Sequence, residues 1–370
     1  MRTLTGTIRN YYASGNTARG SFSLFDSNLE DLDMIYILKG GPGTGKSSLM
    51  KTIGYKWLDL NYDIEFLHCS SDNNSVDGLI IPELKVGIVD GTAPHIIEPK
   101  FPGVIEQYIN LGVAWNTQEL KNNKDQIKQL TKSVNKAFST AYTLFGEALI
   151  IHDEWEKIYI DNIDFNACNK LTEELIDTFF KSTLTKTSKV RHRFLGAATP
   201  KGPVDFIEDL TVDVPQRYFI KGRPGSGKST MLKKLVTQAQ ERGYDVEVYH
   251  CGFDPNSLDM VIMRELGIAI FDSTAPHEHF PSREGDSIID MYEKTIKSDT
   301  DEKYADKITD VAKRYKEKMQ EGTSYLAQAK QIHDKLESFY VQAMDYSVVD
   351  RIRKQIEIEI EKQVAKIDLK

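Results

Sequence analysis

Short apolar runs alternate along the chain with glycine-rich or polar stretches, and they predict strands separated by helices. In the first half such runs occupy 34–38, 64–67 and 86–89, where β-branched and aromatic residues are frequent. Leu49 and Met50 belong to a stretch between the first two runs that has helical character. Strands that alternate with helices in this way indicate an α/β fold, in which a parallel sheet is covered by helices.

The second half of the chain repeats the first. The segment YILKGGPGTGKSSLMK begins at Tyr36 and aligns without gaps with YFIKGRPGSGKSTMLK, which begins at Tyr218, so the offset is 218 − 36 = 182 residues. The repeat therefore predicts strands at 218–220, 246–249 and 268–271 as well. Agreement of this length indicates a gene duplication.

The same offset divides the chain into two predicted tandem domains, because 370 − 182 = 188. We expect one domain at 1–188 and the other at 189–370, joined in the polar, basic stretch 186–193. A helical extension is predicted in each, at about 104–185 and about 285–370.

Apolar residues three and four positions apart predict long helices in these extensions. The spacing predicts either a hairpin or coiled-coil arm, or packing against the sheet or against the other half's helix. The apolar positions are Ile127, Leu130, Val134, Ala137, Ala141, Leu144, Ala148, Ile151, Trp155 and Ile158, and in the second half Ile308, Val311, Tyr315, Tyr325, Ala329, Ile332, Leu336 and Phe339.

Composition narrows the function classes. Forty per cent of the residues are hydrophobic, but no run approaches the roughly 18 apolar residues of a membrane-spanning helix. The net charge of −8 disfavours a broad nucleic-acid surface, so nucleic acid is an unlikely partner. Three cysteines are too few for a disulfide framework, and the first residues lack the apolar core of a secretion signal. We therefore expect a cytoplasmic protein without membrane contact.

Both halves carry the pattern G-x-x-x-x-G-K-[ST], which is typical of phosphate-binding loops. Glycines let successive N–H groups point at phosphates, Lys46 and Lys228 reach the β/γ-phosphates, and Ser47 and Ser229 bind Mg²⁺. The residues expected to contact the nucleotide are Gly40, Gly41, Pro42, Gly43, Thr44, Gly45, Lys46, Ser47 and Ser48, and in the second half Gly222, Arg223, Pro224, Gly225, Ser226, Gly227, Lys228, Ser229 and Thr230.

A carboxylate at the end of a neighbouring strand would complete each Mg²⁺ site. VGIVD ends in Asp90 and IAIFD ends in Asp272, at matching distances from the two loops. Gly91 and Ser273 follow them, so the glutamate found there in many ATPases is absent. Guanine-recognition motifs are also absent, which favours ATP over GTP.

Repeated histidines and cysteines follow the predicted strands. His68–Cys69 and His250–Cys251 end the second strands, whereas His95 and His277 end the T-A-P-H segments after the third. The carboxyl ends of strands border the ligand crevice in such sheets. Three interpretations remain: these side chains hold the loops in place, they position water or the γ-phosphate, or they form a metal site.

Charged residues of the repeat offer further candidates. Asp72 and Asp254 lie on matching loops, together with the pair Asp77 and Asp259, and either orient a nucleophile or make turns and helix caps. A second set comprises Arg19, Lys201 and Arg223, and the first two either neutralise a phosphate, from their own half or the other, or are exposed loop cations. Arg223 replaces Gly41, so the two sites are not equivalent. His152 and Glu156, like His333 and Glu337, are expected to pair on solvated helix faces.

Taken together, the doubled loops, the strand-end aspartates, the T-A-P-H segments and the I-H-D-x-x-E helices resemble those of a bacterial family of tandem P-loop ATPases. The resemblance covers essentially the whole chain and implies ATP binding in a cytoplasmic, bacterial setting. We expect a Mg²⁺-dependent ATPase whose two sites drive a conformational change, with a protein partner on the helical extensions. A nucleotide or small-molecule kinase and a non-catalytic ATP-sensing module are the alternatives.

Overall fold

The computed structural model describes residues 6–367. The first half contains the strands β1 (Ile8–Tyr11), β2 (Ser14–Thr17), β3 (Gly20–Ser23), β4 (Met34–Lys39), β5 (Ile64–His68), β6 (Val76–Ile81), β7 (Val86–Asp90) and β8 (Glu106–Asn110). Its helices are α1 (Phe25–Asn28), α2 (Lys46–Asp59), α3 (Thr117–Asn122), α4 (Lys124–Ile160) and α5 (Phe165–Phe179).

The second half has the same succession of strands and nearly the same helices. The strands are β9 (Val190–Phe194), β10 (Gly196–Thr199), β11 (Gly202–Asp205), β12 (Gln216–Lys221), β13 (Val246–His250), β14 (Leu258–Met263), β15 (Ile268–Asp272) and β16 (Asp286–Asp290). The helices are α6 (Ile207–Leu210), α7 (Lys228–Glu241), α8 (Met291–Thr295), α9 (Thr300–Lys303), α10 (Ala305–Gln342) and α11 (Tyr346–Ile367).

Each half forms a six-stranded sheet of the same topology. The order is β1-β5-β6-β7-β4-β8 in the first sheet and β9-β13-β14-β15-β12-β16 in the second. The prediction of an α/β fold is confirmed, but that of a wholly parallel sheet is wrong, because β6 and β14 run antiparallel to both neighbours. A short 3₁₀ turn (Pro82–Leu84) joins β6 to β7, and a connection this short can join only antiparallel strands.

The two sheets pack against each other through a shared core. This core joins side chains of both halves: Tyr11, Phe25, Ile37, Leu67 and Val89 from the first, and Leu195, Ile207, Phe219, Tyr249 and Phe271 from the second. A short backbone bridge pairs Tyr12 with Phe194, with N···O distances of 3.0 and 2.9 Å. The two halves therefore share a core and are not joined by a linker alone.

The long helices α4 and α10 form an antiparallel pair. Gly322 of α10 lies against the ring of Phe145 in α4, and Arg314 forms a 2.8 Å ion pair with Glu154. Because higher numbers on one helix meet lower numbers on the other, the two run in opposite directions. Of the alternatives that the spacing allowed, packing against the other half's helix is the one that the structure shows.

The helices that end each half are exchanged. Leu175 and Phe179 of α5 belong to the core of the second sheet. Val349, Ile356 and Ile360 of α11 belong to the core of the first. Each sheet is therefore covered on its outer face by a helix encoded in the other half of the chain.

The domain limits predicted from the repeat need three corrections. The range 104–185 includes strand β8, and the range 285–370 includes strand β16, so helix begins later in both extensions. The expected linker 186–193 contains most of β9, which pairs with β13. A division at 188 also separates α5 from the sheet on which it packs.

None of the helices within residues 6–367 is long and apolar enough to span a membrane.

A buried ion pair at the edge of the second sheet predicts acid sensitivity. Arg217 donates two hydrogen bonds, of 2.8 and 2.7 Å, to the Asp286 carboxylate. These bonds lower the pKa of Asp286 to about 2, from an ordinary value near 4. A lowered acid pKa stabilises the fold above about pH 4, and this contribution is lost as the pH falls through about 2.

Replacing Asp286 with asparagine should therefore destabilise the protein by about 3 kcal/mol at pH 7, because Arg217 stays buried without its counter-charge. Urea unfolding of both proteins between pH 2 and pH 7 measures this difference. The gap should narrow below pH 4; a gap that is constant down to pH 2 would contradict the assignment.

Candidate functional site

The glycine-rich segment of the first half, loop A (residues 40–47), links β4 to α2. Gly43 and Gly45 have positive φ angles of 66° and 84°, which side chains other than glycine rarely tolerate. Helix α2 begins at Lys46, directly after Gly45. The N-terminus of this 14-residue helix, whose free N–H groups attract anions, therefore faces the loop.

Three predicted residues meet at this loop. Lys46 Nζ donates hydrogen bonds of 2.9 Å to the carbonyls of Gly40 and Gly41, and lies 3.5 Å from Asp90 Oδ2. The Ser47 hydroxyl accepts a 3.0 Å hydrogen bond from the Val76 N–H. The three meet because β4 and β7 are hydrogen-bonded neighbours, so their carboxyl ends lie side by side.

Asp90 is held in a buried, partly polar environment. Burial raises its pKa, and both the charge of Lys46 and the Thr92 N–H, which donates a 2.8 Å hydrogen bond to Oδ1, act in the opposite direction. Thr92 Oγ1 also donates to the Gly40 carbonyl at 2.9 Å. Thr92 thus ties the end of β7 to loop A.

The second half repeats this geometry at loop B (residues 222–229). Gly225 and Gly227 have φ angles of 73° and 87°, and α7 begins at Lys228. Lys228 Nζ lies 3.3 Å from Asp272 Oδ2 and donates to the Arg223 carbonyl at 3.1 Å. The Leu258 N–H donates to Ser229 Oγ at 2.9 Å.

A second carboxylate stands behind each strand-end aspartate. Asp77, expected on a loop, lies instead in β6, where the neighbouring residue Gly78 pairs with Val89 of β7. It is buried, and its Oδ2 is 3.3 Å from Nε2 of His95. Burial lowers the pKa of His95, but Asp77 and then Asp90 outweigh it, so the net shift is upward.

The corresponding pair in the second half is arranged differently. Asp259 is buried in β14, and burial together with the charge of Asp272 raises its pKa to about 6. His277, which matches His95, has Nδ1 within 3.0 Å of Asp205, so it pairs with a residue of the hairpin β10–β11. The two sites therefore share the arrangement of loop, lysine and strand-end aspartate, and they differ in the residues behind it.

The other repeated histidines hold neighbouring segments. His68 Nε2 lies 2.8 Å from the Asn10 side chain, and His250 Nε2 lies 2.8 Å from His192. Burial lowers the pKa of His68 to about 4 and raises that of the Cys69 thiol. Within residues 6–367, the residues His68, Cys69 and His95 do not lie together in a group that could hold a metal ion.

The predicted loop charges connect the two halves. Arg19 Nε donates a 2.8 Å hydrogen bond to Asp254, across the boundary between the copies. Asp72 accepts from its own loop N–H at Asn74 and lies 3.3 Å from Lys330 of α10. Lys201 is exposed, at the tip of the matching hairpin.

Arg223, the residue that makes loop B unlike loop A, forms a 2.8 Å ion pair with Asp301. Asp301 also accepts a 2.8 Å hydrogen bond from Tyr159 of α4. Arg223 therefore links loop B to the helix that the first half contributes.

Each loop is covered by a helix of the other half. A methyl group on Gly43 would lie 2.8 Å from Val341 and 3.1 Å from Glu337, both in α10. The Tyr346 hydroxyl of α11 donates to the Gly43 carbonyl at 2.8 Å. At loop B, a methyl on Gly225 would lie 2.5 Å from the Glu156 carbonyl of α4.

These covering helices carry the H-D-x-x-E segments, so the expectation that His152 and Glu156 pair on a solvated face is wrong in part. The two side chains are half-buried, 3.9 Å apart, and the His152 ring contacts Phe253 and Tyr315. A sequence does not reveal which half a helix will cover. Sequence analysis named Asp77 but placed it on a loop, because Asp77 and Gly78 interrupt the apolar pattern of 76–81.

Comparisons with known proteins give no relative. No family model matches the chain, and neither a curated protein nor a solved structure matches it.

Proposed function

We propose that the protein binds two molecules of ATP with Mg²⁺, one at each glycine-rich loop, and hydrolyses them. One observation carries the proposal. In both halves a glycine-rich loop of the same length ends in a lysine that begins a 14-residue helix and lies within 3.5 Å of a strand-end aspartate. Ser47 and Asp90, and likewise Ser229 and Asp272, supply the oxygen ligands that Mg²⁺ prefers. The metal would bridge and neutralise the phosphate oxygens.

The lysines act as counter-charges. Lys46 now donates to loop carbonyls, and the same three donors can turn to phosphate oxygens that enter beside the loop. The proposal agrees with the resemblance to tandem P-loop ATPases. It also gives the α4–α10 pair a role, because these helices touch both loops and can transmit a change at one to the other.

Lysine replacement tests nucleotide binding at each loop separately. Calorimetric titration with ATP and Mg²⁺ should give two sites for the wild-type chain, one each for Lys46→Ala and Lys228→Ala, and none for the double variant. Loss of a charged hydrogen-bond donor costs roughly 1.5–3 kcal/mol, or at least about tenfold in affinity. Lys124→Ala, at an exposed position, is the matched control. Unchanged ATP binding by the double variant would refute the proposal.

Phosphoryl transfer to a small acceptor is the second candidate. The helices that cover the loops favour it, because kinases must keep bulk water from the γ-phosphate. Formation of ADP without release of inorganic phosphate, in the presence of an acceptor, would identify this reaction. Tight ATP binding with neither product would leave the non-catalytic sensing module.

A further inference from the structure

Helix α10 spans the crevice beside loop A. Glu337 lies against Gly43 at one end of this contact. At the other end, on the far side of His333, the Lys330 ammonium lies 3.3 Å from Asp72. Asp72 belongs to the loop that follows β5, so the segment between these contacts faces the space between that loop and loop A. This is where the phosphate end of a nucleotide held by Lys46 would lie.

Helix α4 takes the equivalent place in the second half. The Glu156 backbone touches loop B at Gly225, and the His152 ring lies 6.1 Å from that of Phe253, next to Asp254. Burial lowers the pKa of His152, the charges of Glu156 and Asp153 act in the opposite direction, and the charge of Lys228 adds to the lowering. In both halves, therefore, the H-D-x-x-E segment of the covering helix lies against the glycine-rich loop of the other half.

Neither half has a carboxylate directly after its strand-end aspartate. Gly91 and Ser273 follow the strand-end aspartates, so neither half supplies a carboxylate at that position. The Glu337 carboxylate accepts no hydrogen bond from the part of the chain that the structure describes, and that of Glu156 is 3.9 Å from His152. Both are free to accept a hydrogen bond from water.

We propose that each ATP site is composite: Glu337 of the second copy orients the attacking water at loop A, and Glu156 of the first copy does so at loop B. This inference rests on the proposed hydrolysis. The water oxygen forms a bond to the γ-phosphorus while the bond to the β,γ-bridging oxygen breaks, and that oxygen leaves with the electron pair on ADP. The proton of the water passes to the glutamate.

The arrangement ties each site to both copies. Loop A, Lys46 and Asp90 come from the first copy, whereas the water-orienting carboxylate comes from the second, and loop B has the reverse composition. The exchanged helices α5 and α11 continue directly from α4 and α10, so the same chain crossing delivers both the glutamate and the outer cover of the sheet. One copy alone would lack both.

Variants in which only one loop can bind ATP test whether each glutamate acts at the loop of the other copy. With Lys228→Ala, loop A is the working site, and Glu337→Gln in that background should lower kcat for phosphate release roughly a hundredfold. With Lys46→Ala, Glu156→Gln should do the same. ATP affinity at the intact loop should stay within about threefold, because glutamine keeps the shape. If losses instead follow Lys228→Ala with Glu156→Gln and Lys46→Ala with Glu337→Gln, the carboxylate acts within its own copy and the composite site is refuted.

Two further measurements separate a catalytic effect from a structural one. Glu337→Asp, which keeps the charge, should retain more activity than Glu337→Gln, and Glu173→Gln on the exposed face of α5 should match the background. If either lysine replacement silences both loops, Glu337→Gln and Glu156→Gln must each lower the wild-type rate about a hundredfold. Activity within threefold of the background contradicts the composite site alone. ATP binding without phosphate release in the wild type contradicts hydrolysis itself.

Discussion

Replacing Arg193 with methionine should destabilise the protein by about 3–5 kcal/mol, because it leaves a buried carboxylate without its counter-charge. Arg193 lies between the two sheets, 3.1 Å from Glu65 and 3.8 Å from Glu247, with its guanidinium 4.2 Å from the centre of the Tyr11 ring. Both Arg193 and Glu65 are buried. The Tyr11 hydroxyl donates a 2.6 Å hydrogen bond to the same Glu65 carboxylate.

The duplication explains why this pair is asymmetric. Tyr11 and Arg193 occupy equivalent positions, because 193 − 11 = 182, and so do Glu65 and Glu247. With tyrosine at both positions, the two glutamates would have no positive charge between them. Arginine at one of the two equivalent positions supplies the positive charge between the two glutamates.

Urea unfolding measures the prediction, with Arg9→Met as the matched control. Arg9 also forms an ion pair between the halves, 3.3 Å from Asp213, but both partners are partly exposed, so its loss should cost less than about 1 kcal/mol. Adding Glu65→Gln to Arg193→Met should recover part of the stability. Equal losses for the two arginine variants would show that water reaches the Arg193 site.

Replacing Ile360 with alanine should destabilise the first sheet, although this residue lies at the end of the second copy. Ile360 is fully buried in the core that α11 shares with α2 and β4. Deleting a buried side chain of this size costs about 2–5 kcal/mol. The largest loss of protection from hydrogen exchange should therefore fall in α2, which lies more than 300 residues earlier in the chain, and in its neighbouring strands.

Leu175→Ala on α5 is the reciprocal variant. Leu175 packs in the core of the second sheet with Leu232 and Leu235 of α7, so its loss should weaken protection of α7 rather than α2. If instead each variant deprotects the sheet of its own copy, the exchange of helices is wrong.

Much of the fold was predictable because it depends on local pattern. The apolar runs located the three main strands of each sheet, and the glycine loops located the helix starts at Lys46 and Lys228. The repeat carried these assignments from one half to the other. Strands β1, β8, β9 and β16 escaped, because short, partly exposed edge strands lack a continuous apolar run. The buried strands β6 and β14 escaped because an aspartate interrupts the apolar run in each.

The candidate site was predictable where it depends on the same local patterns, and only there. Lys46, Ser47 and Asp90 meet because α2 follows β4 directly and β7 pairs with β4 in the sheet. Asp77 depends on the antiparallel turn of β6, which brings it beside Asp90. The sequence left open whether Arg19 acts in its own half or in the other, and the structure shows that it reaches Asp254 of the other half.

The sequence by itself determined that two copies of one α/β unit exist, where their glycine-rich loops lie, and that long amphipathic helices follow. These features are set by hydrogen-bonding period, glycine conformation and side-chain spacing within short segments. Only the tertiary structure decided which sheet each helix covers, and hence that Glu337 lies at loop A and Glu156 at loop B. The two copies have such similar apolar faces that pattern alone fits either pairing, and the choice rests on tertiary contacts between the copies, such as Tyr346 with Gly43 and Glu156 with Gly225.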